Sequence, residues 1–276
     1  MRLFGKEGAE NDSHEGGRVG EHVVMKLSGP PASPVPVPPS VAALARGRRP
    51  VPVWRNELGG LTFRLDGDGG PGGTDTCFVK WAPAGTALPL AAEAERLRWA
   101  ARFTPVPEVR EYGADADGSW LVTRALPGES AVAPRWKADP ATAVRALGAG
   151  LRALHDRLPV AECPFTWSVA HRLEVARRAG IVVPADLPDP PPADLLVVCH
   201  GDPCAPNTLL HEDGTWAAHV DLGALGVADR WADLAVVTLN IGWNYGPGWE
   251  GTLLDAYGIA PDPVRTAFYR RLWDVT

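Results

Sequence analysis

Two short segments in the C-terminal half carry the residue types that phosphoryl transfer uses. The first is His200-Gly-Asp-Pro-Cys-Ala-Pro-Asn207, and the second is His219-Val-Asp-Leu-Gly223. They supply an aspartate, an asparagine five residues later and a second aspartate fourteen residues beyond that. Phosphoryl transfer needs a carboxylate that accepts the proton of the attacking hydroxyl, and oxygen ligands for magnesium on the nucleotide phosphates. Asp202, Asn207 and Asp221 are therefore candidates for this chemistry.

The same residues allow two other interpretations. Histidine and aspartate in a turn often bond only to the backbone, so H-G-D alone is weak evidence. The asparagine at its offset and a D-L-G that follows an apolar strand strengthen it. A zinc site formed by His200, His211 and His219 is the competing hypothesis, but their spacing matches no common ligand pattern. Phosphoryl transfer is the preferred interpretation.

The elements that would position these residues form a strand-rich front and a helix-rich back. Short apolar runs between glycine-rich turns predict an antiparallel meander in the front part. A run rich in Ala, Glu, Arg and Leu predicts a helix over 88–103. Asp139-Pro140 and Asp262-Pro263 predict helix starts in the back part, as does Asp229. The predicted strands are 51–54, 61–65, 76–81 and 119–124 in front, and 195–199 and 216–220 around the candidate loop.

Composition and charge exclude several classes of protein. The 276 residues contain no apolar run long enough to span a membrane, and the first twenty lack the apolar core of a secretory signal. The net charge of -6 argues against a nucleic-acid partner and suits a cationic small molecule. The four cysteines form no C-x-x-C pair, so a disulfide framework is not expected, and a reducing cytoplasm is the natural compartment. We expect a monomer or homodimer.

The first 40 residues differ in composition from the rest of the chain. Gly-rich polar sequence leads into a proline-rich stretch between Pro30 and Pro39, which is typical of polyproline-type structure. We predict a flexible tail over 1–40, with a proline-rich docking peptide as the alternative. Met25 is a second candidate start of translation, because Met1 and Met25 are the only methionines.

The spacing H-G-D-x-x-x-x-N, followed by D-L-G and then by G-V-A-D-R-W-A-D at 226–233, resembles that of the antibiotic phosphotransferases, specifically the aminoglycoside 3'-phosphotransferase group. The resemblance covers about residues 50 to 276. It implies an α+β, bilobal protein-kinase-like fold. A small antiparallel-sheet N-terminal lobe would occupy 41–125, and a larger helical C-terminal lobe would occupy 126–276.

The resemblance also implies a role for each candidate in the C-terminal lobe. Asp202 would be the catalytic base, and His200 would brace its loop. Asn207 and Asp221 would hold Mg²⁺. The front lobe would hold the nucleotide, ATP or GTP.

In that front lobe, Lys80 would reach the nucleotide phosphates from the end of an apolar strand. A lysine there needs an acidic partner. Helical periodicity leaves Glu93 and Glu95 both open, and the family pattern, with the glutamate six residues before a tryptophan, selects Glu93. The other implied nucleotide contacts are Gly59 and Gly60 in a loop over the phosphates, and the backbone of Thr123 and Ala125 against the purine.

The acceptor side departs from the family pattern. Residues 240–246 stand where the family often has adjacent acids, and Ala224 stands where an arginine usually follows D-x-G. This part of the chain still has acidic residues and a predicted glycine-flanked loop that contains aromatic residues. Aromatic faces can stack on a sugar ring or cover a cation. The candidate acceptor residues are Trp243, Tyr245, Glu250, Asp274 and the terminal carboxylate of Thr276.

Together these observations predict a phosphotransferase that uses ATP or GTP with Mg²⁺ on a hydroxyl of an aminoglycoside, first of all the 3'-hydroxyl, and so confers antibiotic resistance. A kinase for another hydroxylated antibiotic or small metabolite is the alternative, because the acidic anchors are incomplete. A non-catalytic pseudokinase is the rival from another class. It is disfavoured because Lys80, Asp202, Asn207 and Asp221 are all present.

Overall fold

The computed structural model describes residues 29–276 except Glu57, Gly69, Pro71, Gly72 and Ala87. Most of the predicted tail, including Met25, lies outside the described residues. Its last part differs from the flexible segment expected, because Gly29 pairs with Arg55 through backbone hydrogen bonds of 2.9 and 2.8 Å. A helix, α1, begins at Pro39, and Val41 within it is fully buried. Apolar side chains near the prolines, Val35 and Val41, thus pack against a sheet.

That sheet has five antiparallel strands in the order β1-β2-β3-β5-β4. Side chains alternate between its faces, so Leu61, Phe63 and Leu65 of β2 pack together with Val41 of α1. The strand bounds are β1 Pro50–Arg55, β2 Leu61–Leu65, β3 Cys77–Pro83, β4 Val109–Ala114 and β5 Gly118–Arg124. The sequence did not predict β4, since this edge strand is mostly exposed and carries charged residues in place of an apolar run.

Two helices cover the sheet, one on each face. Helix α1 (Pro39–Ala45) lies over the face formed by β2, while α2 (Leu90–Ala100) contacts β4 and β5. Leu90 and Leu97 of α2 belong to the large hydrophobic core that also contains most of the C-terminal helices. Helix α2 therefore joins the sheet to the rest of the molecule.

The C-terminal part is mainly helical, and aspartates mark the starts of several helices. The side chain of Asp139 accepts a hydrogen bond from Thr142 N at 3.2 Å, and that of Asp262 accepts one from Arg265 N at 2.9 Å. Both predicted helix starts are confirmed. The helices are α3 Pro134–Ala138, α4 Pro140–Arg157, α5 Val169–Arg178, α6 Trp231–Tyr245, α7 Glu250–Tyr257 and α8 Pro263–Val275. No helix among the described residues is both long enough and apolar enough to cross a bilayer.

Short strands in this part bring the two candidate segments together. Strand β7 pairs with β10, and β8 pairs with β6 and β9. Residues 200–207 connect β7 to β8, and residues 220–225 connect β9 to β10, so the two loops lie side by side. The strand bounds are β6 Glu129–Ser130, β7 Leu196–Cys199, β8 Thr208–Leu210, β9 Trp216–His219 and β10 Gly226–Asp229.

Candidate active site

His200 joins the two loops that carry the candidate residues. Its Nδ1 accepts a hydrogen bond from the backbone N–H of Asp202 at 3.2 Å, so its Nε2 carries the proton and donates to the carbonyl of Val220 at 3.1 Å. Burial lowers the pKa of His200, which keeps the ring neutral. One side chain thus links the residue before Asp221 to the backbone of Asp202.

The backbone of both loops is unusual at two positions. Gly201 has φ +85°, and a Cβ there would lie 2.4 Å from the carbonyl oxygen of Ala224, so only glycine fits. Asp221 has φ +63°, in the left-handed region that costs a non-glycine residue about 1 kcal/mol. Strain of this kind is commonly found at functional sites.

Helix α6 supports the first loop from behind. The carboxylate of Asp233 accepts hydrogen bonds from the backbone N–H groups of His200 at 2.6 Å and Gly201 at 3.0 Å. The ring of His155 contacts the same carboxylate at 3.0 Å. Two turns of α6 further on, Asn240 Oδ1 accepts from Ala205 N at 2.7 Å. The position of Asp202 is therefore set by buried hydrogen bonds to a helix.

Asp202 itself is only 2% exposed. Its Oδ1 accepts from the Cys204 thiol at 2.8 Å, and its Oδ2 accepts from Asn207 Nδ2 at 3.2 Å. Burial and the charge of Asp221 raise the pKa of Asp202 to about 7. A carboxyl group with such a pKa is suited to accept a proton near neutral pH.

Lys80 on β3 forms ion pairs with two carboxylates. Its Nζ lies 2.7 Å from Glu93 Oε1 on α2 and 2.9 Å from Asp221 Oδ1. Burial lowers the pKa of Lys80, but the two carboxylates outweigh it, so the pKa lies above its ordinary value and the amine stays charged. Of the two glutamates that periodicity left open, Glu93 is buried and contacts Lys80, while Glu95 is exposed.

The donor atoms of Asn207 and Asp221 fit a magnesium ion. Both residues offer oxygen, which this ion prefers. The nitrogen of the Asn207 amide is bonded to Asp202, which leaves its side-chain oxygen as the ligand atom. Asp221 contacts Lys80 through Oδ1, so its second oxygen can take a ligand. One carboxylate and one amide oxygen match the usual pattern, in which substrate phosphates and waters complete the shell.

A cleft of about 390 Å³ opens between the sheet and the two loops. Lys80, Glu93, Asp202 and Asp221 all line it. Gly60 also lines it, at a tight turn in which Gly60 N donates to Asn56 Oδ1 at 2.7 Å. Gly59 lies in the same turn without lining the cleft, and Glu57 of this turn lies outside the described residues. Trp167 and His171 form part of the opposite wall.

The structure does not support the implied purine contact of the Ala125 amide. The Ala125 N–H donates to the carbonyl of Thr76 at 2.9 Å, because the hydrogen-bond ladder between β3 and β5 continues one residue beyond β5. Thr123 lies inside β5, paired with both β3 and β4. Neither Thr123 nor Ala125 lines the described cleft.

The loop predicted for Trp243 and Tyr245 is wrong, since both lie in the last turn of α6. The Tyr245 hydroxyl donates to the carbonyl of Ala131 at 2.7 Å, a packing role. Trp243 is 37% exposed and lines a second cavity, of about 240 Å³, together with Trp249 and Glu250. The helix continues because Gly242 is accommodated within it and Gly246 ends it.

The remaining acceptor candidates divide into two groups. Glu250 belongs to the second cavity, and its carboxylate is paired with Arg270 at 3.1 Å. Asp274 and Thr276 lie at the end of α8, away from the lining of that cavity. Trp273, the residue before Asp274, packs in a cluster with Cys204 of the loop that holds Asp202. The end of α8 is therefore the predicted acceptor group that adjoins the candidate base.

Sequence reasoning missed two arginines that support the site. Arg96 Nε donates to the carbonyl of Leu225 at 2.9 Å and so holds α2 to the loop of Asp221. Its position one turn after Glu93, on the same helix face, was an available signal. Buried Arg172 on α5 donates to Thr276 Oγ1 at 2.8 Å and fixes the end of α8. No local pattern indicated that long-range contact.

Comparison with known proteins shows the family of the chain. The model of the phosphotransferase enzyme family matches residues 57–269. The chain belongs to this family. It is 38% identical over 234 residues to a streptomycin 3''-kinase of Streptomyces griseus, with 73% of this chain and 85% of the relative covered. It is 36% identical over 252 residues to an aminoglycoside 3'-phosphotransferase of Streptomyces fradiae, with 80% and 92% covered.

Solved structures of the family have the same fold. An aminoglycoside-3'-phosphotransferase of type VIII superposes with a TM-score of 0.68 at 33% identity, covering 86% of this chain and 97% of that one. An aminoglycoside phosphotransferase from Streptomyces rimosus, in complex with ADP and streptomycin, superposes with a TM-score of 0.60 at 28% identity, covering 78% and 90%. The protein is a phosphotransferase of the α+β, bilobal protein-kinase-like fold, as the sequence predicted.

Proposed function

We propose that this phosphotransferase moves the terminal phosphoryl group of ATP to a hydroxyl of an aminoglycoside antibiotic and thereby confers resistance to it. The observation that carries the proposal is the convergence of Lys80, Glu93, Asp202 and Asp221 on one cleft. This arrangement combines a cation for phosphates with a buried carboxylate whose pKa suits proton transfer.

Each candidate residue has a distinct part in the proposal. Lys80, held by Glu93, binds the nucleotide phosphates. Asp202 orients the acceptor hydroxyl and accepts its proton. Asn207 and Asp221 hold Mg²⁺, which when bound neutralises charge on the phosphates.

The aminoglycoside assignment is supported by the relatives and by charge. The streptomycin kinase and the 3'-phosphotransferases named above are similar to this chain and support it. The net charge of -6 favours a polycationic acceptor. We propose the 3'-hydroxyl as the first acceptor position and the 3''-hydroxyl of streptomycin as the second.

A neutral or weakly charged hydroxylated antibiotic remains the second candidate acceptor. The observation in its favour is that Glu250, an expected anchor for ammonium groups, is already paired with Arg270. Trp243 stands nearby and offers an aromatic face that suits a sugar ring with or without charge.

A coupled assay of nucleoside diphosphate release tests the proposal. The panel contains streptomycin, an aminoglycoside with a 3'-hydroxyl, its 3'-deoxy analogue and a neutral hydroxylated antibiotic, each with ATP or GTP and Mg²⁺. We expect turnover with the 3'-hydroxyl compound and none with its deoxy analogue. Turnover only with streptomycin would move the acceptor position, and turnover only with the neutral compound would overturn the aminoglycoside assignment.

The metal assignment has its own test. Asp221→Asn should abolish the Mg²⁺-dependent part of nucleotide binding, because Asp221 is the charged member of the pair. Isothermal titration with and without Mg²⁺ measures this directly. A magnesium titration identical to that of the wild type would remove Asp221 from the metal site.

A further inference from the structure

We propose that Cys204 is a positioning residue for Asp202, whose thiol fixes the plane of the catalytic carboxylate. The inference rests on the proposed role of Asp202 as base. It concerns a residue that lies inside the motif at a position the motif leaves open.

The side chains of Cys204 and Asp202 are in direct contact, and both are buried. The Cys204 thiol donates to Asp202 Oδ1 at 2.8 Å, and both side chains are buried, at 0% and 2% exposure. Asn207 Nδ2 donates to the other oxygen, Oδ2, at 3.2 Å. A carboxylate bonded at both oxygens cannot rotate about its Cβ–Cγ bond without breaking one of these contacts, so the remaining lone pairs keep one direction toward the cleft.

Cys204 is itself held in place. Its backbone N–H donates to the carbonyl of Asp202 at 2.8 Å. Its side chain packs in a cluster with Val236 of α6 and Trp273 of α8. Burial raises the pKa of the thiol well above its ordinary value, so it remains an S–H donor at neutral pH.

The same cluster connects the base with the acceptor side. Trp273 immediately precedes Asp274, one of the candidate acceptor anchors at the end of α8. Cys204 lies between this helix and Asp202. The thiol therefore aligns the base with the part of the protein where the acceptor is expected.

Cys199 provides a matched comparison. It is as fully buried as Cys204 and also donates a hydrogen bond, but its partner is the backbone carbonyl of Asp229 at 3.4 Å. A general effect of removing a buried thiol should appear at both positions. An effect on the base should appear only at Cys204.

The test compares Cys204→Ala, Cys204→Val, Cys204→Ser and Cys199→Ala in steady-state kinetics and thermal melting. Valine fills the volume that alanine vacates, and serine restores a donor. We expect kcat to fall about tenfold in Cys204→Ala and Cys204→Val, as for loss of a hydrogen bond to a charged group. The nucleotide KM should stay within twofold of the wild-type value. Cys204→Ser should recover most of kcat. In Cys199→Ala, kcat should fall by about twofold at most.

Three results would overturn the proposal: wild-type kcat in Cys204→Val, equal loss in Cys204→Ser and Cys204→Val, or the same loss in Cys199→Ala. Comparison of the valine and serine variants remains decisive if the alanine variant does not fold. Failure of the wild type on every antibiotic would overturn the proposed function instead. The slow hydrolysis of nucleotide with water as acceptor then supplies the same kcat comparison.

Discussion

The candidate phosphate-handling region and the candidate acceptor region of this protein are built in different ways. Around Asp202 and Asp221, the polar side chains have short contacts to specific partners, and a helix and a histidine hold both loops. On the acceptor side, a partly exposed tryptophan and a paired glutamate line one cavity, while the end of α8 forms a separate group. The candidate phosphate-handling residues thus have fixed, short contacts, whereas the candidate acceptor residues are partly exposed and lie in two separate places.

The largest effect should follow from removal of the base. Asp202→Asn should reduce kcat by at least about 100-fold, the usual contribution of a general base, because the amide cannot accept the proton. Nucleotide affinity should change little, and isothermal titration checks this. The control is Asp156→Asn, which removes an exposed ion pair with Arg152 and should keep wild-type kcat. Turnover retained in Asp202→Asn would place the chemistry elsewhere.

The next effect concerns two glutamates on one helix. Glu93→Gln should raise the nucleotide KM about tenfold, because Lys80 loses a partner that orients it. Glu95→Gln, two residues away and exposed, should leave this KM unchanged. Initial rates at varied nucleotide and saturating acceptor measure both. Equal effects of the two substitutions would mean that the Lys80–Glu93 pair does not position the lysine.

A smaller effect is expected on the acceptor side. Trp243→Ala should raise the acceptor KM about fivefold, as for loss of an aromatic face worth about 1 kcal/mol, without change in the nucleotide KM. Tyr245→Phe, which loses only the hydrogen bond to Ala131, should lower the melting temperature and leave the acceptor KM unchanged. If the acceptor KM responds to Tyr245→Phe and not to Trp243→Ala, the cavity does not bind the acceptor.

The smallest effect is on stability, and it depends on pH. The pKa of Asp202 is about 7 in the native state and is raised above its unfolded value, so the native protein retains a proton that the unfolded chain has lost. Raising the pH through 7 therefore destabilises the wild type by about 1 kcal/mol between pH 6 and 8. Asp202→Asn does not have this loss. In magnesium-free buffer, the melting temperature of the variant minus that of the wild type should therefore increase by about 2–4 °C between pH 6 and 8. Parallel melting profiles would contradict the raised pKa.

Local sequence signals predicted much of the fold and the phosphate-handling region. Alternating apolar residues marked β2, and Asp139 and Asp262 marked helix starts, because these signals act over a few residues. The choice of Glu93 over Glu95 came from the family pattern, since both lie on plausible faces of α2.

The rest could not be read from local sequence. Whether Trp243 lies in a loop or a helix depends on packing of α6, which overrides the glycines around it. The pairing of Glu250 with Arg270 and the contact of Arg172 with Thr276 join distant parts of the chain. The Cys204 thiol reaches Asp202 only because of the backbone geometry of one loop.

The position of the transferred phosphate tests the central claim most directly. The wild type and Asp202→Asn are incubated with ATP, Mg²⁺ and an aminoglycoside that has a 3'-hydroxyl, and the products are compared by ³¹P and ¹H NMR. The account predicts a single phosphate ester on a sugar hydroxyl with the wild type, and no ester on the same time scale with Asp202→Asn. Equal amounts of ester from the two proteins, or release of inorganic phosphate alone by the wild type, would contradict it.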